Sequence, residues 1–244
     1  MYPDTSPLPM MMMRGITHLW AMLATGGVHV QSRCDLPDYI ARKTPMDSSG
    51  ARTYILSRLK NQLPKQRSYH SLEHTLDVYA SAISIAEHEG VQGEGLTLLK
   101  IAALYHDAGF TVQDTEHEEA GCKLVKEVLP GFGFNERQME LICEMIMATR
   151  IPQSPRNKLA RILCDADLDY LGRTDFNQIG DCLFKEMQAY GVLSTEHDWN
   201  ELQLRFLERH SYFTQTNKRL REPLKQQHLE EVRAWLSEHP RPAK

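Results

Sequence analysis

What the 244-residue chain lacks narrows its class before any motif is read. It has no continuous run of ~18 apolar residues, the length a helix needs to cross a bilayer. The nearest candidate, Ile16 to Ala24, is short and interrupted by His18. That run and Arg14 also fall short of a secretory signal, which needs a longer apolar stretch and a small-residue cleavage site. A cytoplasmic protein is expected. The five cysteines, Cys34, Cys122, Cys143, Cys164 and Cys182, are odd in number and contain no CxxC pair. This argues against a disulfide framework and against a cysteine zinc site, and reads as reduced thiols. Basic charge is not in excess either: 28 Lys and Arg stand against 32 Asp and Glu, a formal net charge of −4. A nucleic-acid binder that works by neutralising phosphates is therefore disfavoured. With 41% hydrophobic and 25% charged residues the composition is that of a folded globular protein.

Strand-like alternation and internal repeats are missing as well. Residues 1–45 hold five prolines (Pro3, Pro7, Pro9, Pro37, Pro45), the run Met10 to Met13 and Gly26-Gly27, with no sustained period. Such a segment buries too little apolar surface to offset its ordering entropy, so a flexible extension with at most a short helical turn near 15–24 is expected. Met46 precedes Asp47-Ser48-Ser49, a helix N-cap signal, and is a candidate natural start.

From residue 47 onward the chain reads as helix after helix. The expected spans are 48–62, 70–89, 94–108, 115–128, 135–148, 157–171, 174–190, 196–213 and 220–238, separated by breakers such as Pro64, Gly90, Gly109, Pro130-Gly131, Gly172 and Gly191. The fold class is all-α, a multi-helix bundle in a domain over 46–240. Gly131-Phe132-Gly133 has no strand before it and reads as a turn, not a phosphate loop.

Chemistry is carried by histidines and aspartates placed where apolar side chains belong. His70 and His74, four apart on the expected 70–89 helix, would share one face, and His74 continues into Val78, Ala82 and Ile85. A pair of half-buried histidines bonded to carbonyls would give the same pattern. His106-Asp107 follows the uncharged run Ile101 to Tyr105, and no Lys or Arg lies between Lys100 and Lys123 to pair with the carboxylate locally. Burying a carboxylate costs several kcal/mol unless it is paired or binds a metal. A His106-Asp107 hydrogen bond is the plainer alternative. In Asp165-Ala166-Asp167-Leu168-Asp169, Asp167 falls between Leu163 and Leu171 on the apolar side. Asp165 and Asp169 stand four residues from Arg161 and Arg173 and read as a solvated charge stripe. His74, His106, Asp107 and Asp167 thus form an inward set of nitrogen and oxygen donors suited to a divalent ion such as Mn, Mg, Fe, Zn, Ni or Co.

In this order, His74, then His106-Asp107, then a distant Asp167, the chain over residues 55–215 resembles the HD superfamily of metal-dependent phosphohydrolases. The local text Tyr69-His70-Ser71-Leu72-Glu73-His74-Thr75-Leu76-Asp77-Val78 is similar to the signature of cyclic-nucleotide phosphodiesterases in that superfamily. The resemblance implies His70 as proton donor, His74 as metal ligand, and Asp107 as a carboxylate able to bridge a second ion. It further implies metal-assisted phosphoryl transfer to water on a small phosphorylated substrate, a nucleotide by expectation, with neither membrane nor nucleic acid as partner. The competing class keeps fold and metal without turnover, as a regulatory metal- or nucleotide-binding module. An interaction protein with no metal would leave Asp107 and Asp167 without partners.

The chain departs from better-known members. Dinuclear HD enzymes, the mixed-valence di-iron oxygenases among them, place two further histidines between the His-Asp pair and the last Asp. Here the interval holds only His117, and Thr149 stands where another would be expected. One metal ion is therefore favoured over two, and an oxygenase is disfavoured. His117 reads equally as a residue near the metal or as part of an exposed acidic helix start. The glutamine clamp that selects a cyclic nucleotide is not located. Lys218, Arg221 and Lys225, at helical spacing, could face a phosphate but read as a solvated face.

Overall fold

A computed structural model describes residues 45–241. The expectations for the extension before Pro45, and Cys34 with it, lie outside the described residues. Among those residues there are ten α-helices, three 3-10 turns and no strand, so the all-α expectation holds. The helices are α1 Ser48–Gln62, α2 Leu72–His88, α3 Gly93–Tyr105, α4 His117–Val128 and α5 Glu136–Ala148. They continue as α6 Lys158–Asp167, α7 Phe176–Ala189, α8 Glu196–Arg209, α9 Gln215–Leu220 and α10 Glu222–Glu238. Side-chain caps set several starts: Asp47 accepts from Gly50 N–H, Asn157 from Ala160 N–H, and Asn135 with Gln138 forms a reciprocal capping box. The Gly131–Gly133 segment is a turn as expected, ending with Gly133 at φ 77°, where a side chain would be strained.

The α3 helix is the hub. Leu98, Leu99 and every residue from Ile101 to Tyr105 are buried, because α1, α2, α5 and α6 all pack against it. Each buried Leu or Ile there contributes ~1.5–3 kcal/mol relative to exposure. A second, smaller core forms around Leu168, Tyr170, Leu171, Phe176, Leu207, Leu229 and Val232, drawn from the turn after α6 and from α7, α8 and α10.

Four expectations need correction. His70 and His74 do not share a helix: Ser71, in extended conformation, caps α2 through its side chain, so His70 sits in the turn before it. The His106-Asp107 pair lies just past the end of α3, where the chain tightens into the 3-10 turn Ala108–Thr111. The span expected at 157–171 breaks at Asp167, and Asp169 belongs to the turn Asp169–Gly172. Asp165 and Asp169 are consequently not solvated: they are 0% and 2% exposed. Asp165 accepts the N–H of Phe213 and both the N–H and hydroxyl of Thr214, while Asp169 accepts from Asn217 and Arg221. The two carboxylates pin the segment after α8, and α9, against α6 and the turn that follows it. Sequence spacing could not show this, because α6 is enclosed by α2, α3 and α5.

The Lys218, Arg221, Lys225 stripe is likewise not a solvated face. Lys218 is exposed, but Arg221 is tied to Asp169, and Lys225 is 1% exposed, donating to the His210 carbonyl at 2.6 Å and pairing with Glu222 at 2.9 Å.

Candidate metal centre

Three helix ends deliver the donors. His74 comes from the first turn of α2, His106 and Asp107 from the end of α3, and Asp167 from the last residue of α6. The Nε2 atoms of His74 and His106 are 3.4 Å apart. Asp167 Oδ1 lies 3.3 Å from the first and 3.6 Å from the second, and Asp107 Oδ2 lies 3.5 and 3.1 Å from the same two atoms. Ligand atoms of His74, His106 and Asp167 all fall within 4.8 Å of one another, so these residues could hold a metal ion. His106 Nδ1 is 2.8 Å from the Ala103 carbonyl, which places the proton on Nδ1 and leaves the Nε2 lone pair facing the cluster.

Asp107 Oδ2 is buried without a hydrogen-bond partner. An acceptor in that state is expensive unless a cation faces it, so the donor set fits a divalent ion. The electrostatics agree. Burial alone would raise Asp107, yet the imidazoles of His106 and His117 beside it hold it well below the usual carboxylate range. Asp167 is likewise opposed by burial but brought down to about 2 by the hydrogen bonds and charges of His106 and His74. His106, which burial would depress, is raised by Asp107 and Asp167. The carboxylates are thus kept ionised, while a cation held here would take the place of the proton that they favour on His106 Nε2.

His117, left open by the sequence, joins the site. It begins α4 and its Nε2 is 3.4 Å from Asp107 Oδ1, the oxygen turned away from His74 and His106. Its ring stacks on Phe110 with centroids 3.9 Å apart. The approach depends on Gly109, where a Cβ would meet the His117 carbonyl oxygen at 1.8 Å. The residue before His117, Glu116, takes the left-handed conformation at φ 53°, which is uncommon for a residue other than glycine. Thr149 borders the cleft but donates its hydroxyl to the Ile146 carbonyl.

His70 is held by a residue that sequence reasoning missed. Glu186 of α7, 3% exposed, accepts from His70 Nδ1 at 2.6 Å, from Arg67 at 2.8 Å, and from the N–H groups of Tyr69 and His70 at 2.8 and 3.0 Å. Arg67 lies over the Phe110 ring, 3.8 Å from its centroid. A signal existed: Glu186 falls on the apolar stripe of Ile179 and Leu183, the same anomaly that singled out Asp167. His70, Asp107, His117 and Asp167 border one cleft of about 310 Å³ whose far wall is Phe176, Leu183 and Met187 of α7 with Trp199, Leu202 and Phe206 of α8. Neither Lys218, Arg221 nor Lys225 borders it.

The HD domain family model matches residues 71–169, a span that contains His74, His106, Asp107, His117 and Asp167. An uncharacterised protein of Clostridium beijerinckii is 31% identical over 121 residues, covering 47% of this chain and 73% of the relative. Among solved structures, a protein described as a predicted HD superfamily hydrolase from an uncultured Thermotogales bacterium is 22% identical. It aligns over 77% of this chain and 92% of its own, with a TM-score of 0.52. Bacillus subtilis YpgQ, in complex with ADP, is 21% identical over 80% of this chain and 98% of its own, with a TM-score of 0.55. A Lactobacillus plantarum protein is 17% identical, over 80% and 99%, with a TM-score of 0.56. At these identities the solved structures establish the fold. The protein is an all-α chain of the HD-domain type, with a histidine and aspartate cluster at its centre. It belongs to the HD superfamily.

Proposed function

We propose that the chain is a metal-dependent phosphohydrolase, with His74, His106, Asp107 and Asp167 holding one divalent ion and His70 serving as general acid. The observation that carries the reading is the partnerless buried Oδ2 of Asp107, facing two imidazole Nε2 atoms beside a histidine anchored by a buried carboxylate. A divalent ion there supplies Lewis-acid polarisation of a phosphoryl oxygen and acidifies water. The chain's own residues do the rest. His74, His106, Asp107 and Asp167 would hold the ion, and of these Asp107 and Asp167 border the cleft that receives the substrate. Glu186 holds the proton on His70 Nδ1, so Nε2 is the atom that hands a proton to the leaving oxygen as its bond to phosphorus breaks. Water supplies the oxygen that stays on phosphorus, and its proton restores His70.

A nucleotide is the proposed substrate, supported by the aromatic wall of the cleft and by the ADP bound in the structure of B. subtilis YpgQ. A purely regulatory module would have no use for the His70–Glu186 pair, and that favours the enzyme. Among the described residues no helix is long and apolar enough to cross a membrane. The test is elemental analysis of the purified chain with hydrolysis of an aryl phosphate ester, with and without chelator. Bound divalent metal with chelator-sensitive turnover supports the reading. A chain with no metal affinity refutes the site, and metal without turnover on esters or nucleotides returns the regulatory module.

A further inference from the structure

We infer that the cleft selects phosphoesters with an uncharged, flat organic body and a single phosphate group, against sugar phosphates and multiply phosphorylated molecules. This rests on the phosphohydrolase reading alone and competes with its nucleotide clause, because a nucleotide brings ribose hydroxyls and, in a diphosphate, a second phosphate into the same cleft.

The cleft has two ends of opposite character. One end carries His70, Asp107, His117, Glu118 and Asp167, and the other is built from Leu183 and Met187 of α7 and Trp199, Leu202 and Phe206 of α8. These fall at three-, four- and seven-residue spacings, so each helix turns an apolar stripe toward the cleft. The aromatic walls are braced: Trp199 stacks on Phe184 (centroids 5.7 Å, 14° between planes) and Phe206 on His210 (5.9 Å, 16°). Polar groups among the apolar residues are neutral, the Gln203 amide and the Tyr69 and Tyr170 hydroxyls.

Among the described residues no Lys or Arg borders this cleft. Three arginines of the surrounding elements are already paired, and Arg205 and Arg209 of α8 border an adjoining cleft that shares Leu168, Leu202 and Phe206 with this one. Arg67 is held by Asp114 and Glu186, Arg150 by Glu118 and Glu119, and Arg173 by Asp77 and Asp175. A divalent ion would be offset by Asp107 and Asp167. One phosphate then has the ion and His70 to face, while a second would enter without the Arg fork that phosphates usually meet. A polyhydroxylated sugar would bury hydroxyls against hydrocarbon at a cost of about 1–3 kcal/mol for each one left unpaired. A volume of about 310 Å³ sits at the low end of the ~300–1,000 Å³ typical of ligand pockets, enough for one ring system. The wall lies beyond residue 169, where the HD family match ends, so this selection belongs to the chain's own C-terminal half.

The test is calorimetric binding to the metal-loaded full-length protein, which needs no turnover. The probes are phenylphosphonate, butylphosphonate, ribose 5-phosphate, fructose 1,6-bisphosphate and inorganic phosphate. Phenylphosphonate is expected to bind at least tenfold tighter than each of the other four. The variant Leu202→Arg, on the half-exposed wall, should reverse the order between phenylphosphonate and the bisphosphate. Equal or tighter binding of ribose 5-phosphate or the bisphosphate by the unaltered protein overturns the inference, and parity of butyl with phenyl overturns the preference for a flat body. If the expected order holds while no phosphoester is turned over, the selection stands and the hydrolase reading falls. If aryl and sugar phosphates bind alike and are hydrolysed alike, the hydrolase reading stands and this inference falls.

Discussion

Glu186 and His70 are 116 residues apart in sequence, yet Oε1 of one lies 2.6 Å from Nδ1 of the other. The contact fixes which nitrogen of His70 faces the cleft. Glu186 therefore acts as a positioning residue for the proposed acid. Glu186→Gln is expected to lower kcat about 10- to 100-fold, less than the ~10²–10⁴ associated with general acid catalysis itself. Metal stoichiometry should not change. The deficit should shrink for esters with good leaving groups, which need no proton, and a uniform loss across leaving groups would mean that Glu186 matters only to folding.

Asp107 divides its oxygens, Oδ2 toward His74 and His106 and Oδ1 toward His117. Asp107→Ala removes the charge that both groups face. Metal affinity should fall by ~100-fold or more, with helical circular dichroism retained. Elemental analysis after dialysis against trace metal reads the outcome, and full occupancy in the variant would remove Asp107 from the ligand set.

Much of this arrangement was legible in the sequence because burial and charge conflict openly there. Asp107 follows five uncharged residues and Asp167 sits between leucines, so each announces an internal partner. The α1 and α5 helices lie where caps and periodicity put them, at Ser48–Gln62 and Glu136–Ala148. Two kinds of feature escaped. Asp165 and Asp169 looked solvated because arginines stand four residues away; Arg173 does reach Asp169 at 3.6 Å, but the partners that bury the two, Phe213, Thr214, Asn217 and Arg221, come from chain 48 to 52 residues distant. Periodicity carries no information about such pairings. The six-residue α9 also escaped, since one and a half turns leave too short a pattern to register.

The same Glu186 carboxylate predicts an acid limb of stability. Burial pushes its pKa up, but the His70 hydrogen bond and charge and the N–H groups of Tyr69 and His70 outweigh it and bring the group from 4.5 to about 2. A carboxylate depressed in the folded state contributes stability above its unfolded pKa and loses it as pH falls through the folded value. The contribution is thus present above pH ~4.5 and declines toward pH 2, with a ceiling of about 3 kcal/mol. Urea unfolding in chelator at pH 6, 5, 4 and 3 should show a shallower decline for Glu186→Gln than for the unaltered chain. Parallel curves would show that Glu186 is not ionised in the folded state.

Gly109 is the position at which backbone packing and site geometry are the same fact. A Cβ there would stand 1.8 Å from the carbonyl oxygen of His117 and 2.9 Å from the backbone nitrogen of Gly121, and neither is the end of a flexible side chain. Accommodating a methyl group requires the start of α4 to move away from the turn after Asp107. Overpacking of this kind costs about 1–3 kcal/mol, and backbone neighbours put Gly109→Ala at the upper end. The shift would carry His117 off Asp107 Oδ1 while His74, His106 and Asp167, which come from other helices, stay in place. Gly109→Ala is therefore expected to lower the unfolding temperature by several degrees and to reduce turnover, yet to retain the metal. A His117→Ala variant, which removes the ring without the clash, should reproduce the loss of turnover at nearly unaltered stability. If Gly109→Ala is slow but His117→Ala is fully active, His117 plays no part in the chemistry, and the close approach of α4 serves packing alone.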